Sequence, residues 1–291
     1  MTSDLRKIQL IQLRLLLELD KICKEHSIPY FLVGGTMLGA VRHNGFIPWD
    51  DDIDIGMLAK DYEIFLQIAV DELPKSCVLQ TLDNMDSSPI PWAKIRLNGT
   101  QRVDKSEEGV GEEVGIDIDI FPYHSIPNSS PGQWVYFYGG LFLRALCFVK
   151  SGYLLLNREE SSLKKMGVSF AKVFSVFISK EKSKYFMKSW FSQFNSKETD
   201  YVMTPSALKN PKIWRVQRSD LVDLSPVTFE GYKFNGPKNP DKYLTTLYGD
   251  WHALPPEDDR IPHLISKVDF GKFNDIDKVP VDVLWEYPLD E

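Results

Sequence analysis

An α/β (α+β) fold with a mixed sheet and a helical insertion is predicted by three observations in this chain of 291 residues. Near the start, Leu5, Ile8, Ile11, Leu15, Leu19 and Ile22 recur at intervals of three or four, the spacing of one helical face. Two segments, DDDIDIGM over Asp50–Met57 and GIDIDIFP over Gly115–Pro122, alternate acid with aliphatic as a strand with one polar and one apolar face does. Between them and the C-terminal part, a strongly apolar and aromatic run and then a basic stretch interrupt the pattern.

The chain is 43 % hydrophobic, enough to bury a substantial core, and its length suits one large domain or one domain with an insertion. A formal charge of −7 argues against a nucleic-acid binder that works by neutralising phosphates. Charge is unevenly placed: Lys150 to Trp190 carries nine Lys or Arg and three Glu, a net of +6, which leaves −13 elsewhere. Cys23, Cys77 and Cys147 are odd in number and form no CxxC pair, so neither a disulfide framework nor a zinc site is indicated. The N-terminus has charges every few residues and no signal-peptide pattern, and a cytoplasmic protein with reduced thiols is expected.

In chain order, Leu5 to Glu25 reads as a core-packed helix and Pro29 to Val33 as a buried strand ending at Gly34-Gly35. Thr36 to His43 reads as a short helix, Gly45, Pro48 and Trp49 mark a loop, and Asp51 to Met57 reads as the first acid strand. Lys60 to Val70 is a further helix, and Trp92 to Leu97 and Val114 to Phe121 are strands. Pro122, Pro127 and Pro131 around a polar stretch predict a boundary near residue 130, so the expected units are 1–130, a helical basic insertion at 131–210, and 211–291 completing the first.

Trp134 to Val149 is 16 residues long and interrupted by Arg144, too short for a bilayer that needs about 20, and reads as a buried helix. The basic section that follows interleaves Lys164, Lys165, Lys172, Lys180, Lys182, Lys184 and Lys188 with Phe170, Phe174 and Phe177. It fits either a solvated insertion or peripheral contact of 150–190 with an anionic membrane at its inner face.

The acids carry the chemical signal. In a strand Asp52 and Asp54 stand on one face with Cα atoms about 7 Å apart. Carboxylates so crowded need raised pKa values or a cation, and oxygen-only ligands favour Mg²⁺ or Mn²⁺ over zinc. A calcium loop starting at Asp50 would want Gly at its sixth position and Glu at its twelfth, where this chain has Ile55 and Asp61. A helix starting after a glycine turn offers free N–H groups, so Gly34, Gly35 and Thr36 are candidate phosphate contacts. Strand, Gly-Gly turn, short helix, Asp-x-Asp strand and a third acid on a later strand match the nucleotidyltransferase arrangement, with Asp119 as the third acid and candidate base. Arg42 and Lys94 are candidate phosphate contacts, each balanced against an ordinary ion pair. No histidine spacing suggests a metal site, and Trp49, Trp92 and Trp251 lie near the motifs, where such faces would suit a quaternary ammonium.

VGGTMLGAVRHNGFIPWDDDIDIGM, then IDIFP, then LYGDWHALPPEDDR, together resemble the LicD family, over about Leu5 to Tyr123 and again from Phe229 to Arg260. The resemblance implies a core related to fukutin and the fukutin-related protein, and a Mg²⁺- or Mn²⁺-dependent phosphotransferase. Such an enzyme moves phosphocholine from CDP-choline to a cell-surface glycan, free or lipid-linked, and releases CMP; CDP-ribitol or CDP-glycerol remains an alternative donor. It also implies that Asp52 and Asp54 are metal-binding acids, that Asp119 is the acid of the IDIFP motif, and that Tyr248, Gly249 and Asp250 match a late YGD motif. Asp117 departs from the family's commonly apolar residue, and RIPHLI, with His263, departs from its paired histidines. A non-catalytic glycan- or membrane-binding protein is the competing class.

Overall fold

The chain forms α1 (Ser3–Glu25), β1 (Phe31–Leu32), α2 (Gly34–His43), β2 (Asp54–Leu58), α3 (Ala59–Glu72), β3 (Cys77–Gln80), β4 (Ala93–Leu97), β5 (Gln101–Asp104) and β6 (Asp117–Ser125) in turn. Then come α4 (Ser130–Lys150), α5 (Ser162–Ser175), α6 (Lys180–Ser192), β7 (Tyr201–Met203), α7 (Pro211–Trp214), β8 (Val216–Gln217), α8 (Arg218–Val222), β9 (Ser225–Phe229), β10 (Tyr232–Gly236), α9 (Pro240–Tyr248) and β11 (Ile265–Asp269). This computed structural model describes residues 3–85, 88–104, 115–152, 162–208, 210–262 and 265–278. Val114, residues 153–161 of the basic section, the side chains of Lys164 and Lys165, and His263 lie outside the described residues.

Among the described residues the main sheet runs β1-β2-β6-β4-β3, with β7 and β8 added where β7 pairs with β6. Only the β2–β6 pair is parallel, so the sheet is mixed. One face is apolar: Ile55, Met57, Ala93, Ile95, Leu97, Ile118 and Ile120 are each 1 % exposed or less. Helices α1 and α3 cover it. The predicted stripe of α1 from Leu5 to Ile22 is buried throughout, and Tyr62, Phe65 and Ala69 are the buried line of α3. Each such fully buried Leu or Ile contributes about 1.5–3 kcal/mol, which is what selects this register of strands against helices.

Helix α1 also makes polar ties. Gln12, itself buried, donates through Nε2 to the carbonyls of Asp51 at 2.8 Å and Asp117 at 3.0 Å, so one side chain fixes the starts of both acid strands. Helix α2, the β9–β10 hairpin and α9 pack together on the side of β1. The segment from α4 to α6 has a smaller core of its own, including Tyr136, Phe137, Cys147, Met187 and Phe191. It remains joined to the sheet through β7, where His124 pairs with Met203 and Ser125 with Val202.

Candidate active site

The second face of the sheet is polar at its centre. Asp54 of β2 and Asp119 of β6 are register partners, as are Asp119 and Lys94 of β4, and Asp117 and Arg96. Register partners project from the same face, so the alternation read in the sequence stacks these side chains side by side. Regular strand begins only at Asp54, and Asp50–Ile53 form the approach to it. Burial still alternates through that approach: Asp51 and Ile53 are buried, Asp50, Asp52 and Asp54 half-buried.

Asp51 is turned away from its neighbours. It is fully buried, its Oδ2 lies 3.1 Å from Arg102 Nη2, and its carbonyl accepts from Arg102 Nη1 at 2.7 Å. This acid braces the fold, and β5 supplies its counter-charge.

Gly34, at φ +54°, and Gly35 form the first turn of α2. A Cβ on Gly34 would lie 2.8 Å from Asp54 Oδ2, and one on Gly35 would lie 2.8 Å from Asp50 Oδ2. The glycines let two carboxylates press against a helix N-terminus, where the positive end of the dipole favours them. Thr36 Oγ1 accepts the backbone N–H of Asp54 at 2.8 Å, and the Gly34 N–H donates to the Tyr243 hydroxyl of α9 at 3.2 Å. Tyr243 also shares a hydrogen bond with Tyr123 of β6. The turn is thus clamped from both sides.

Burial holds the Asp54 carboxyl well above the ordinary carboxylate range, and Asp52, Asp119 and Asp50 push it further, against the pull of Lys94. Asp117 goes the other way. Burial would raise it, but Arg96 and Lys94 hold it below the usual value. Its Oδ2 is 2.5 Å from Arg96 Nη1 and its Oδ1 3.2 Å from Lys94 Nζ. Lys94 in turn stays charged despite burial because Asp117 and Asp119 surround it.

Asp119 is held by two donors on one oxygen. Trp92 Nε1 donates to Oδ1 at 2.8 Å and Lys94 Nζ stands 3.0 Å from the same atom. The Arg144 guanidinium of α4 lies over the Trp92 ring, 5.8 Å from its centroid, and donates to the carbonyls of Pro205 and Ala207. Trp92, Arg144 and Tyr243 are the contributors that sequence reasoning left without a role at the acids. The only prior signal for them was that Trp92 falls two residues before Lys94, on the same side of a strand.

Arg42 is placed near the site but is bound to backbone. Its Nη1 donates to Trp251 O at 2.9 Å and Ala253 O at 3.3 Å. It ties α2 to the segment after α9, where Tyr248 ends the helix and Gly249 turns at φ +71°. Tyr248 is 46 % exposed as a residue, yet desolvation of its hydroxyl and then Tyr243, Asp54, Asp50 and Asp52 raise its pKa. Trp49 carries the Arg260 guanidinium 5.6 Å from its ring centroid, and Trp251 stacks on His252 at 3.7 Å.

The donor set near Asp54 is all oxygen, carries excess negative charge and suits a hard divalent cation in kind. Among the described residues, no three His, Cys, Asp or Glu side chains already converge as a closed ligand set.

Residues 27–141 match the family model described as LicD/FKTN/FKRP, nucleotidyltransferase domain. Along nearly its whole length the chain is similar to the lipopolysaccharide cholinephosphotransferase LicD of Haemophilus influenzae, 28 % identical over 267 residues that cover 90 % of this chain and 97 % of that protein. A shorter stretch is 50 % identical over 98 residues to the human ribitol 5-phosphate transferase FKRP, covering 34 % of this chain and 17 % of that protein. A match of 36 % over 52 residues to the mouse ribitol-5-phosphate transferase FKTN covers 18 % of this chain and 11 % of that protein.

Proposed function

We propose that this chain, similar to the LicD/FKTN/FKRP family over residues 27–141 and to a cholinephosphotransferase along nearly its whole length, is a phosphotransferase moving phosphocholine from CDP-choline to a sugar hydroxyl of a cell-surface glycan precursor in the cytoplasm, with CMP released. The observation that carries the proposal is the crowding of Asp50, Asp52 and Asp119 around the half-buried Asp54 at the N-terminus of α2. The likeness to a cholinephosphotransferase over nine-tenths of the chain supports the choice of cargo.

Asp52, Asp54 and Asp119 would hold Mg²⁺ or Mn²⁺. When bound, the cation supplies charge neutralisation at the phosphoryl oxygens and the leaving group. Asp119 accepts the proton of the attacking sugar hydroxyl. Trp92 and Lys94 both engage Oδ1, so Oδ2 is the oxygen assigned to the proton. The backbone of Gly34, Gly35 and Thr36 orients the donor diphosphate beside the acids. Lys94 meets a phosphate only as part of its carboxylate network, and Arg42 only while it anchors the 251–253 backbone.

A polyol phosphate donor is the second reading, favoured by the 50 % identity to a ribitol 5-phosphate transferase across 98 residues. Choline brings a cation that aromatic faces attract, whereas a polyol asks for hydrogen-bonding groups. The face of Trp49 already carries the cation of Arg260, so a choline head would compete with it.

Calorimetric titration of CDP-choline, CDP-ribitol, CDP-glycerol and CTP with Mg²⁺, repeated on Asp52→Asn, tests both readings. Selective binding of CDP-choline that needs the metal and is lost in a normally folded Asp52→Asn supports phosphocholine transfer. Preference for a polyol donor keeps the chemistry and replaces the cargo. Binding of none of them, with or without metal, returns the chain to the class of glycan- or membrane-binding proteins.

A further inference from the structure

From Ser169 on, helix α5 turns apolar side chains outward. Phe170, Val173, Phe174 and Phe177 follow one another at helical spacing, i, i+3, i+4 and i+7, which ordinarily marks the face turned to a core. Here they are 55, 61, 50 and 81 % exposed, and Val176 is 76 % exposed, while Ala171 on the other side is fully buried. Among the described residues, Phe174 alone of these reaches an aromatic partner, Phe142 of α4 at 5.9 Å. Contiguous apolar surface of this kind on a folded protein marks a surface that something else covers.

We propose that the α5 face, with the turn at Val176 and Phe177, is a docking surface for an anionic lipid bilayer. Charge selects the occupant. The patch lies within the section of net +6, with exposed Lys172 on the same helix and exposed Lys182 early in the next, in a chain whose remainder carries −13. A second copy of the chain would bring the same positive section to the same place and be repelled. An anionic headgroup layer attracts that section and repels the rest, so one orientation is favoured. The exposed residues also protrude from a single helix and its terminal turn, a shape that inserts side chains into an interface. No helix among the described residues is long and apolar enough to cross a membrane, so contact of this kind is peripheral. Lys184 and Lys188 contribute less than their number suggests. Lys184 donates to the carbonyls of Leu82 and Met85, and Lys188 pairs with Asp83.

The proposal is independent of the donor identity. Its test is co-sedimentation of the full chain with vesicles of phosphatidylcholine alone and of phosphatidylcholine mixed with phosphatidylglycerol. Binding is expected only to the anionic vesicles and to weaken with added salt. The double variants Val173→Ser/Phe177→Ser and Lys172→Glu/Lys182→Glu should each lower the partition coefficient by roughly tenfold or more. Val70→Ser, an equally exposed apolar residue on α3, should leave it unchanged. Thermal melts confirm that the variants fold. Absence of binding to anionic vesicles, equal binding to both vesicle types, or undiminished binding by either double variant overturns the proposal. So does a concentration-dependent dimer in sedimentation velocity that Val173→Ser/Phe177→Ser abolishes while vesicles go unbound.

Discussion

Asp54 and Asp119 sit directly opposite one another on the parallel β2–β6 pair of the main sheet, and each also answers to a different helix. Asp54 is pressed to the start of α2 through Gly34, whereas Asp119 is reached from α4 through Arg144 and Trp92. Two acids that repel are thus held together by elements far apart in the chain.

Replacing Asp54 with Asn should remove that repulsion. Its folded-state pKa lies above the unfolded value, so the protonated group favours the folded state at low pH and the contribution is lost as pH rises through the raised value. Metal-free wild type should therefore lose thermal stability relative to Asp54→Asn as the buffer is taken from mildly acidic to mildly alkaline. Mg²⁺ should raise the Tm of wild type and not of the variant, and turnover of the variant should fall by more than roughly a hundredfold, beyond the range of outer-sphere changes at metal sites. Parallel melting curves at every pH would show that Asp54 is not the strained group.

Trp92→Phe keeps the ring and deletes the N–H given to Asp119. Turnover should fall roughly tenfold to a hundredfold with KM little altered. A loss confined to KM would assign Trp92 to substrate binding instead.

Arg96 and Asp117 are a nearly buried pair, so Arg96→Met leaves a carboxylate with Lys94 and the more weakly acting Arg102 as its cations. The cost should be about 3 kcal/mol in urea unfolding, and the double change Arg96→Met with Asp117→Leu should recover most of it. Asp117 has a lowered pKa, so the contribution it makes above its unfolded pKa is lost as pH falls through the folded value. The stability gap between wild type and Arg96→Met should therefore narrow in acid.

Gly34→Ala places a methyl against Asp54 Oδ2 in a backbone conformation that L-residues adopt poorly. About 1 kcal/mol of destabilisation is expected from the backbone alone, with a larger proportional loss of activity because Asp54 must swing away. Ala at Gly99, which has open space around it but also a positive φ, should cost similar stability and leave turnover intact.

The local period of the chain was enough to determine the first helix, most of both acid strands and the side of its own strand to which each of Asp54, Asp119, Lys94 and Arg96 points; that the sides coincide comes from the strand pairing. Strand alternation needs no knowledge of partners, and burying Ile53, Ile55, Ile118 and Ile120 leaves the acids only one direction to point. The motif residues Gly34 and Gly35 were also legible, although their Cα atoms approach carboxylates that only the fold brings there.

Tertiary structure decided which charges belong to the site and which to the scaffold. Asp51 looks like its neighbours in the sequence, yet Arg102, brought in by β5, makes it a buried structural pair. Arg42, near the end of a short helix, and Lys94, on a strand, read as candidate phosphate contacts balanced against ordinary ion pairs, and the folded chain supplies each with oxygen partners from remote segments. The outward face of α5 has the periodicity of a core helix, and only the packing shows which side Ala171 takes. Periodicity is a property of neighbours along the chain and survives in the sequence. Charge pairing and the choice of buried side depend on what arrives from elsewhere, and no local pattern records that.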